Sequence, residues 1–463
     1  MKKNAPRPTV YLFRQALSPF APCGYKFRLR RQAAQLSFIT ALFTVLIIAG
    51  QALASGYRVP EQSLNSVATA SASIAAVDGA DSAYFNPAAM SWLDKKRWHG
   101  EGDLLYINLP HITYTDNASP ARNGSSKTEE FLLPAVHTVS PEFNGMRFGF
   151  SLAYPAGLSK RWPAPFPKTF SEDFTLQVIE ANPSLSYKLN NTLAIAGGLR
   201  LLRASGKIQS NGTIIAAPGP VYTTISRAME GDDVAFGYNL AASWRPAPSL
   251  ALAATYRSKV DLDLDGDAVL SSSTGFLSNG TPVLALPAGS YSGPGGVSAP
   301  VPAVLTLGAA WTFGKSTLEF AWDRTFWDAY QQLDFTYPSP QTHPVLAAAF
   351  DNPLNKRWVN TDAFRLGLAQ RLSETLTLRL GFAIDGNPVP DDTLGFELPD
   401  ADGRTYAGGL RYRVSDRLDA GFAYLYTDKK TRSVDQTATG GSINGTFTDI
   451  SAHMFALGIS GRF

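Results

Sequence analysis

The sequence predicts an all-β protein: a transmembrane antiparallel β-barrel of about 14 strands, with an N-terminal hatch (plug) in the lumen. Three observations carry that expectation. The chain opens with a segment built like an export signal and has no later apolar run long enough for a spanning helix. Only 17% of its 463 residues are charged and 11% are aromatic, against about a quarter charged in soluble domains. Long stretches alternate apolar and polar residues, and the connections between them are short and long by turns.

Residues 1–54 read as a signal peptide. Arg28, Arg30 and Arg31 form a basic region, Leu36 to Ala49 an apolar one, and Ala52-Leu53-Ala54 a small-residue cleavage site. The apolar run falls short of the ~20 residues of a spanning helix. The one cysteine, Cys23, lies in this leader, so the exported chain builds neither a disulfide nor a thiolate metal site. A net charge of +3 gives nucleic acid no electrostatic hold.

Residues 55–97 are rich in Ala, Ser and Gly and contain DSAYFNPAAM, which neither alternates nor repeats with helical period. The segment is too short and too weakly apolar to fold alone. A barrel of this size leaves an interior that wall side chains cannot fill, so the segment is expected inside it.

Residues 98–463 supply the barrel. In RFGFSLAY (147–154) Phe148, Phe150, Leu152 and Tyr154 alternate with Arg147, Gly149, Ser151 and Ala153. In TLTLRLGFAI (375–384) Leu376, Leu378, Leu380, Phe382 and Ile384 face one way. Short turns are expected at 140–145, 189–192, 245–249, 313–316, 372–375 and 414–417, and long excursions near 110–130, 155–175, 206–225, 266–300, 336–356, 386–402 and 428–446. Trp98, Tyr106, Trp244, Trp311, Trp322, Trp327 and Tyr424 are candidates for interfacial girdles. The Gly/Pro-rich run 285–302 reads as a flexible loop.

Two motifs point elsewhere and fail on chemistry. DLDLDGD (261–267) opens like a calcium loop, but the twelfth position, which needs a bidentate Glu, is Ser272. The chain has five histidines and neither a G-x-S-x-G nor an H-E-x-x-H motif. His453, with Ser451 or Ser460, is the nearest Ser-His candidate, and its outward face shared with Phe455 favours a girdle position. No cofactor or metal is expected.

The GY opening (Gly56, Tyr57), VDGADSAYFNPAAM with Asn86-Pro87-Ala88, and the downstream segments 182–202, 254–267, 320–335 and 385–415 resemble, in order, the FadL/TodX family of outer-membrane transporters for long-chain fatty acids and aromatic hydrocarbons. The resemblance implies a 14-stranded barrel with Asn86, Pro87 and Ala88 as the hatch motif. It also implies a lateral opening at a kink of the third strand, which falls on Pro155, Ala156 and Gly157. Proline donates nothing to a ladder and glycine weakens one, so the residues agree. The family's basic residues near the fatty-acid carboxylate fall on Ser210 and Thr361. Lys207 and Arg203 are the nearby cations for a head group. Terminal Phe463 resembles the assembly signal of outer-membrane barrels.

The expectation is therefore a passive outer-membrane channel, not an enzyme, that passes hydrophobic compounds through a hatch-gated side exit. Its expected partners are the hydrophobic substrate, outer-membrane lipid and lipopolysaccharide, and the barrel-assembly machinery; it is expected to be a monomer. The alternatives are a barrel lipid hydrolase and a surface adhesion barrel.

Overall fold

The computed structural model describes residues 56–216 and 221–463; the expected signal peptide lies outside them. The alternating segments form a closed wall of 14 antiparallel strands. In chain order these are β1 (His99–Leu109), β2 (Glu129–Val139), β3 (Met146–Arg161), β4 (Asp173–Lys188), β5 (Leu193–Ala216) and β6 (Val221–Ala247). Next come β7 (Leu250–Arg257 continued by Val260–Ser272), β8 (Gly289–Val301 continued by Ala303–Phe313) and β9 (Ser316–Phe326). The wall ends with β10 (Thr361–Arg371), β11 (Leu376–Asp385), β12 (Gly403–Arg413), β13 (Leu418–Lys429) and β14 (Ser451–Arg462). β14 pairs with β1 from Arg462 opposite His99 to His453 opposite Asn108, which closes the sheet and leaves no edge.

Period two fixes which side chains face the bilayer. Phe148 and Phe150 on β3, Leu199 and Leu201 on β5, and Phe236, Tyr238 and Leu240 on β6 are exposed. Their neighbours Arg147, Gly149 and Ser151, Arg200 and Leu202, and Asn239 and Ala241 point into a filled interior. Lipid takes the apolar face and the lumen takes the polar one. His453 lies outward as expected, its Nδ1 2.8 Å from the Tyr424 hydroxyl in an aromatic ladder with Phe455.

Three expectations need correction. The excursions at 206–225 and 266–300 are mostly strand: β5 and β6 run 24 and 27 residues, well past the roughly 9–11 that a bilayer requires. Ile208, Ile225, Leu264 and Leu270 keep one face buried beyond the membrane and so extend the wall. The 285–302 run is likewise not a loop, because Gly289–Val301 pairs residue for residue with Val260–Ser272. Trp327 is fully buried against Tyr57 and Trp358 rather than in a girdle.

Residues 57–92 lie inside this wall. Ser63 caps α1 (Leu64–Ala68): its Oγ accepts from Ser66 N at 3.2 Å, and Ser66 Oγ accepts from Ser63 N at 2.8 Å. α1 rests where β11 to β14 carry Gly381, Gly409, Gly421 and Gly458. At Gly381 a Cβ would stand 2.2 Å from the Thr69 carbonyl carbon, so only glycine lets the segment pass. Across the lumen, α2 (Ser82–Phe85) and the 3₁₀ turn Pro87–Trp92 lie on β3 to β6, where Gly149 makes room for Met90. One short segment that touches opposite walls fills the space between them.

Candidate functional site

The wall is incomplete between β2 and β3. β2 and β3 share a ladder only from Val136 opposite Leu152 to Val139 opposite Gly149. Past Leu152, β3 bends: Ala153 pairs with Glu180 and Ala156 with Val178, so three steps on β3 meet two on β4. That is a one-residue bulge centred on Tyr154 and Pro155, and beyond it β3 follows β4 while β2 follows β1. The strands meet again where Lys127 N donates to the Arg161 carbonyl at 2.8 Å and Arg161 binds Glu129. Pro155, Ala156 and Gly157 thus sit within a continuing strand, beside a slot.

The main-chain groups exposed along that slot bond to the hatch. Val59 N donates to the Pro155 carbonyl at 3.0 Å and Gly157 N to the Tyr57 carbonyl at 2.9 Å, while Arg58 bridges to Ala156. Gln62 replaces a missing strand residue: its Oε1 accepts from Tyr154 N at 2.7 Å and its Nε2 donates to the Tyr154 carbonyl at 2.9 Å. A primary amide has the donor and acceptor of a peptide group, so one side chain satisfies both. His137 on β2 holds Gln62 from the other side, with Nε2 2.9 Å from its carbonyl. Val59 of the hatch and Phe131 and Leu133 of β2 pack against the same buried cluster, which includes Leu105 and Ile107.

Asn86, Pro87 and Ala88 lie below this contact. Asn86 is fully buried, and its Nδ2 donates to the Ile74 carbonyl at 3.0 Å, joining two limbs of the hatch. Ala88 packs on Ala194 and Ala241, and Ala89 clusters with Ala153 just before the bulge. The motif shapes the hatch, and residues 57–62 make the polar contact with the kink. Nothing in the sequence marked Gln62 for that role.

Three spaces line up through the barrel. Towards the long connections, a cavity of about 570 Å³ is walled by Phe170, Ile225, Phe335, Phe350 and Phe396 with Ser210 and Arg227. Glu397 joins it to an apolar pocket of about 40 Å³ lined by Tyr57, Leu158, Phe174, Leu176, Leu264 and Trp358. That pocket is too small for any cargo unless a wall side chain moves, and Tyr57 is the one that belongs to the hatch. Towards the short turns, a polar space of about 540 Å³ is lined by Arg97, Arg245, Arg379, Arg411 and Arg462. There Asp78, its side chain open to that space, lies 3.3 Å from Arg379; enclosure within the barrel raises its carboxyl, but Arg379 and Arg411 outweigh that and hold it below its usual range.

The expected head-group cations are misplaced. Arg203 and Lys207 share the outward parity of Leu199 and Leu201 and pair with Asp232, and with Asp173 and Glu230, on the outside of the extended wall. Period two forbids them from reaching the lumen that Ser210 lines. Thr361 is buried at the start of β10 against Gly386. The sequence reading missed Arg227, which faces inward opposite Ser210 in the ladder.

Chemistry finds little purchase here. The Ser-His contact the fold builds is His137 Nδ1 with Ser151 Oγ at 3.0 Å, fully buried, with the other ring nitrogen taken by Gln62. DLDLDGD is extended strand, Leu262 and Leu264 inward and its aspartates outward, so no calcium-loop turn forms. Among the described residues no group of three or more His, Cys, Asp or Glu is placed to hold a metal.

Comparison with known proteins agrees with this architecture. The family described as outer membrane protein transport protein (OMPP1/FadL/TodX) matches residues 45–463. The long-chain fatty acid transport protein of Escherichia coli O6:H1 is 24% identical over 415 residues, covering 83% of this chain and 90% of that one. Outer membrane protein P1 of Haemophilus influenzae is 22% identical over 468 residues, covering 90% and 97%. Among solved structures, a Pseudomonas aeruginosa FadL homologue superposes with a TM-score of 0.73 at 19% identity, covering 88% of this chain and 99% of its own. The Pseudomonas putida toluene transporter TodX gives 0.66 at 16%, covering 89% and 100%. A match spanning the whole described wall and hatch places the barrel in the bacterial outer membrane, and the chain belongs to the OMPP1/FadL/TodX family of outer-membrane transport proteins.

Proposed function

We propose that the protein is a passive channel for hydrophobic compounds, releasing them sideways into the outer membrane through the slot between β2 and β3. The observation that carries this reading is the ladder that stops at Val136 and Leu152, with residues 57–62 of the hatch bonded into the break. Apolar surface gains about 25 cal/mol per Å² on leaving water, so cargo in the apolar pocket has no reason to pass through the polar space below. Tyr57 links the two events: its ring lines the pocket and its carbonyl binds Gly157. Cargo that displaces the ring pulls on the segment covering the slot. Long-chain fatty acids and toluene, named for the relatives, are both admissible cargo.

Asn86→Ala tests the hatch's part. Losing the bond to Ile74 is expected to cost about 1–3 kcal/mol within the hatch and to lower uptake of a labelled long-chain acid several-fold. Barrel assembly, read as heat-modifiable migration, should be normal, and planar-bilayer conductance should stay far below that of an open porin. Wild-type uptake in a folded Asn86→Ala protein would count against hatch gating.

The outward apolar belt is read as the surface for lipid and lipopolysaccharide, and closure of β1 on β14 supports a monomer. Phe463, exposed beyond β14 and tied by reciprocal main-chain bonds of 3.0 Å to Trp98, is read as a contact for the assembly machinery. Phe463→Ala is expected to lower the amount of barrel in the membrane severalfold, with transport per molecule unchanged. A drop in transport per molecule at normal yield would refute that role.

A further inference from the structure

At the end with the short turns, which faces the periplasm in outer-membrane barrels, inward positions repeat a cation around part of the wall. Lys315 precedes β9, Arg371 ends β10, Arg379 lies on β11, Arg411 and Arg413 on β12, and Arg462 on β14. The ladder sets them side by side. Arg371 is opposite Thr377 and Thr377 opposite Arg411, so the two arginine backbones stand about 10 Å apart across one strand. Arg379 lies two positions along that strand, and Arg371 N donates to the Lys315 carbonyl at 2.9 Å. From β6, Arg245 brings its guanidinium carbon to 5.2 Å from the ring centre of Trp92. All of them line the polar space of about 540 Å³.

Only part of this charge is answered. Arg97 pairs with Asp94, Arg413 and Arg462 with Asp419, Arg379 with Asp78 and Arg411 with Glu101. Among the described residues no carboxylate pairs with Lys315, Arg371 or Arg245. The Nε groups of Arg245, Arg379 and Arg411 are buried without a hydrogen-bond partner, and Arg379 as a whole is 7% exposed. Buried donors left unpaired cost free energy that an acceptor would return. The lining carries eight Lys or Arg and five Asp or Glu, and Glu101 behind Arg411 makes a sixth acid, which leaves two positive charges over.

We propose that this space binds a dissolved divalent oxoanion of the phosphate class. The planar guanidinium edge matches the paired oxygens of such an anion, and two negative charges balance the surplus. The wall separates the space from the bilayer, so the ligand arrives from water rather than from a lipid. The site lies apart from the apolar pocket beside Tyr57 and holds or fails independently of the transport reading. Asp78 of the hatch already takes one edge of the ring, 3.3 Å from Arg379 with its side chain 72% exposed to the space. An arriving anion competes with it and so loosens that limb of the hatch.

Calorimetric titration tests this with inorganic phosphate on the full protein in phosphatidylcholine nanodiscs, at pH 8 and constant ionic strength. One phosphate per barrel is expected, held at least about tenfold more tightly than chloride, the scale of an added charge-assisted hydrogen bond. Arg371→Gln alters an exposed residue at a turn and should weaken binding about tenfold. Asp78→Asn removes the internal competitor and should tighten it by a similar factor, a gain that damage to the fold does not produce. Phosphatidic acid added to the nanodiscs should leave the affinity unchanged. Heat that grows without saturation would overturn the proposal, as general screening of a basic surface. So would competition by phosphatidic acid, which marks a lipid headgroup surface, or an affinity that neither variant alters, which places the anion elsewhere.

Discussion

Replacing Arg365 with Met is expected to unseat the hatch, at a cost of about 3–5 kcal/mol, the range for breaking a buried charge pair from one side. Arg365 stands on β10 with no exposure. Its Nε donates to Asp323 at 3.1 Å, Nη2 to Asp385 at 2.7 Å and Nη1 to the Ala70 carbonyl at 3.0 Å, with Glu61 at 3.9 Å. Ala70 and Glu61 belong to the hatch, and so does Arg58, which reaches Asp323 at 3.0 Å. Methionine keeps much of the volume and none of the charge. Asp323 would keep Arg58, while Asp385 and Glu61 would lose the cation beside them, and of the three carboxylates only Glu61 stands on the hatch rather than in the wall. The expected readout is new protease cleavage between Gly56 and Trp98 in a barrel that still migrates as folded. Arg365→Lys should restore part of the protection.

The defect should also depend on pH in a definite sense. Burial raises the Glu61 carboxyl above its ordinary value, and Arg365 opposes that rise. Without Arg365 the value climbs further, so between the unfolded and folded values the native state binds more protons than the unfolded one. Stability then falls as pH rises through the folded value and is recovered below the unfolded one. Protection of the variant hatch should therefore be better at pH 5 than at pH 8, relative to the wild type. Equal protection at both would show that the buried carboxylates are not what drives the hatch out.

Most of the wall was legible because its code is local. Phe148 and Phe150 declare their side by what alternates with them, and Gly149 between them faces the lumen without further information. The same code spoke against Arg203, two positions from outward Leu201, and for Arg227, between Ile225 and Met229 on the inward face of β6. What period two does not encode is where strands stop. Gly289–Val301 has little hydropathy contrast because Gly, Ser and Ala suit either face, so only its partner strand makes it a strand. Gln62 was illegible for a different reason: its partners at Tyr154 lie 92 positions away, and the need it meets arises only once β2 has parted from β3.

Deleting Pro155 is expected to cut uptake of a labelled long-chain acid at least about tenfold while leaving a folded barrel. The bulge holds one surplus residue, since Ala153 to Ala156 on β3 spans what Glu180 to Val178 spans on β4. Before it Arg147, Gly149, Ser151 and Ala153 face inward; after it Ala156, Leu158 and Lys160 do. Removing one residue makes that alternation continuous, takes away the Pro155 carbonyl that Val59 binds, and lets β3 run straight beside β2. Pro155→Val separates the two possible causes. It returns a donor to the ladder but keeps the surplus residue, so the bend and most of the uptake should survive. If the folded deletion protein transports like the wild type, cargo does not leave at the kink. If Pro155→Val is as damaged as the deletion, the missing amide donor rather than the extra residue keeps the slot open, because a strand of full length could then re-form its bonds to β2 without any change of register.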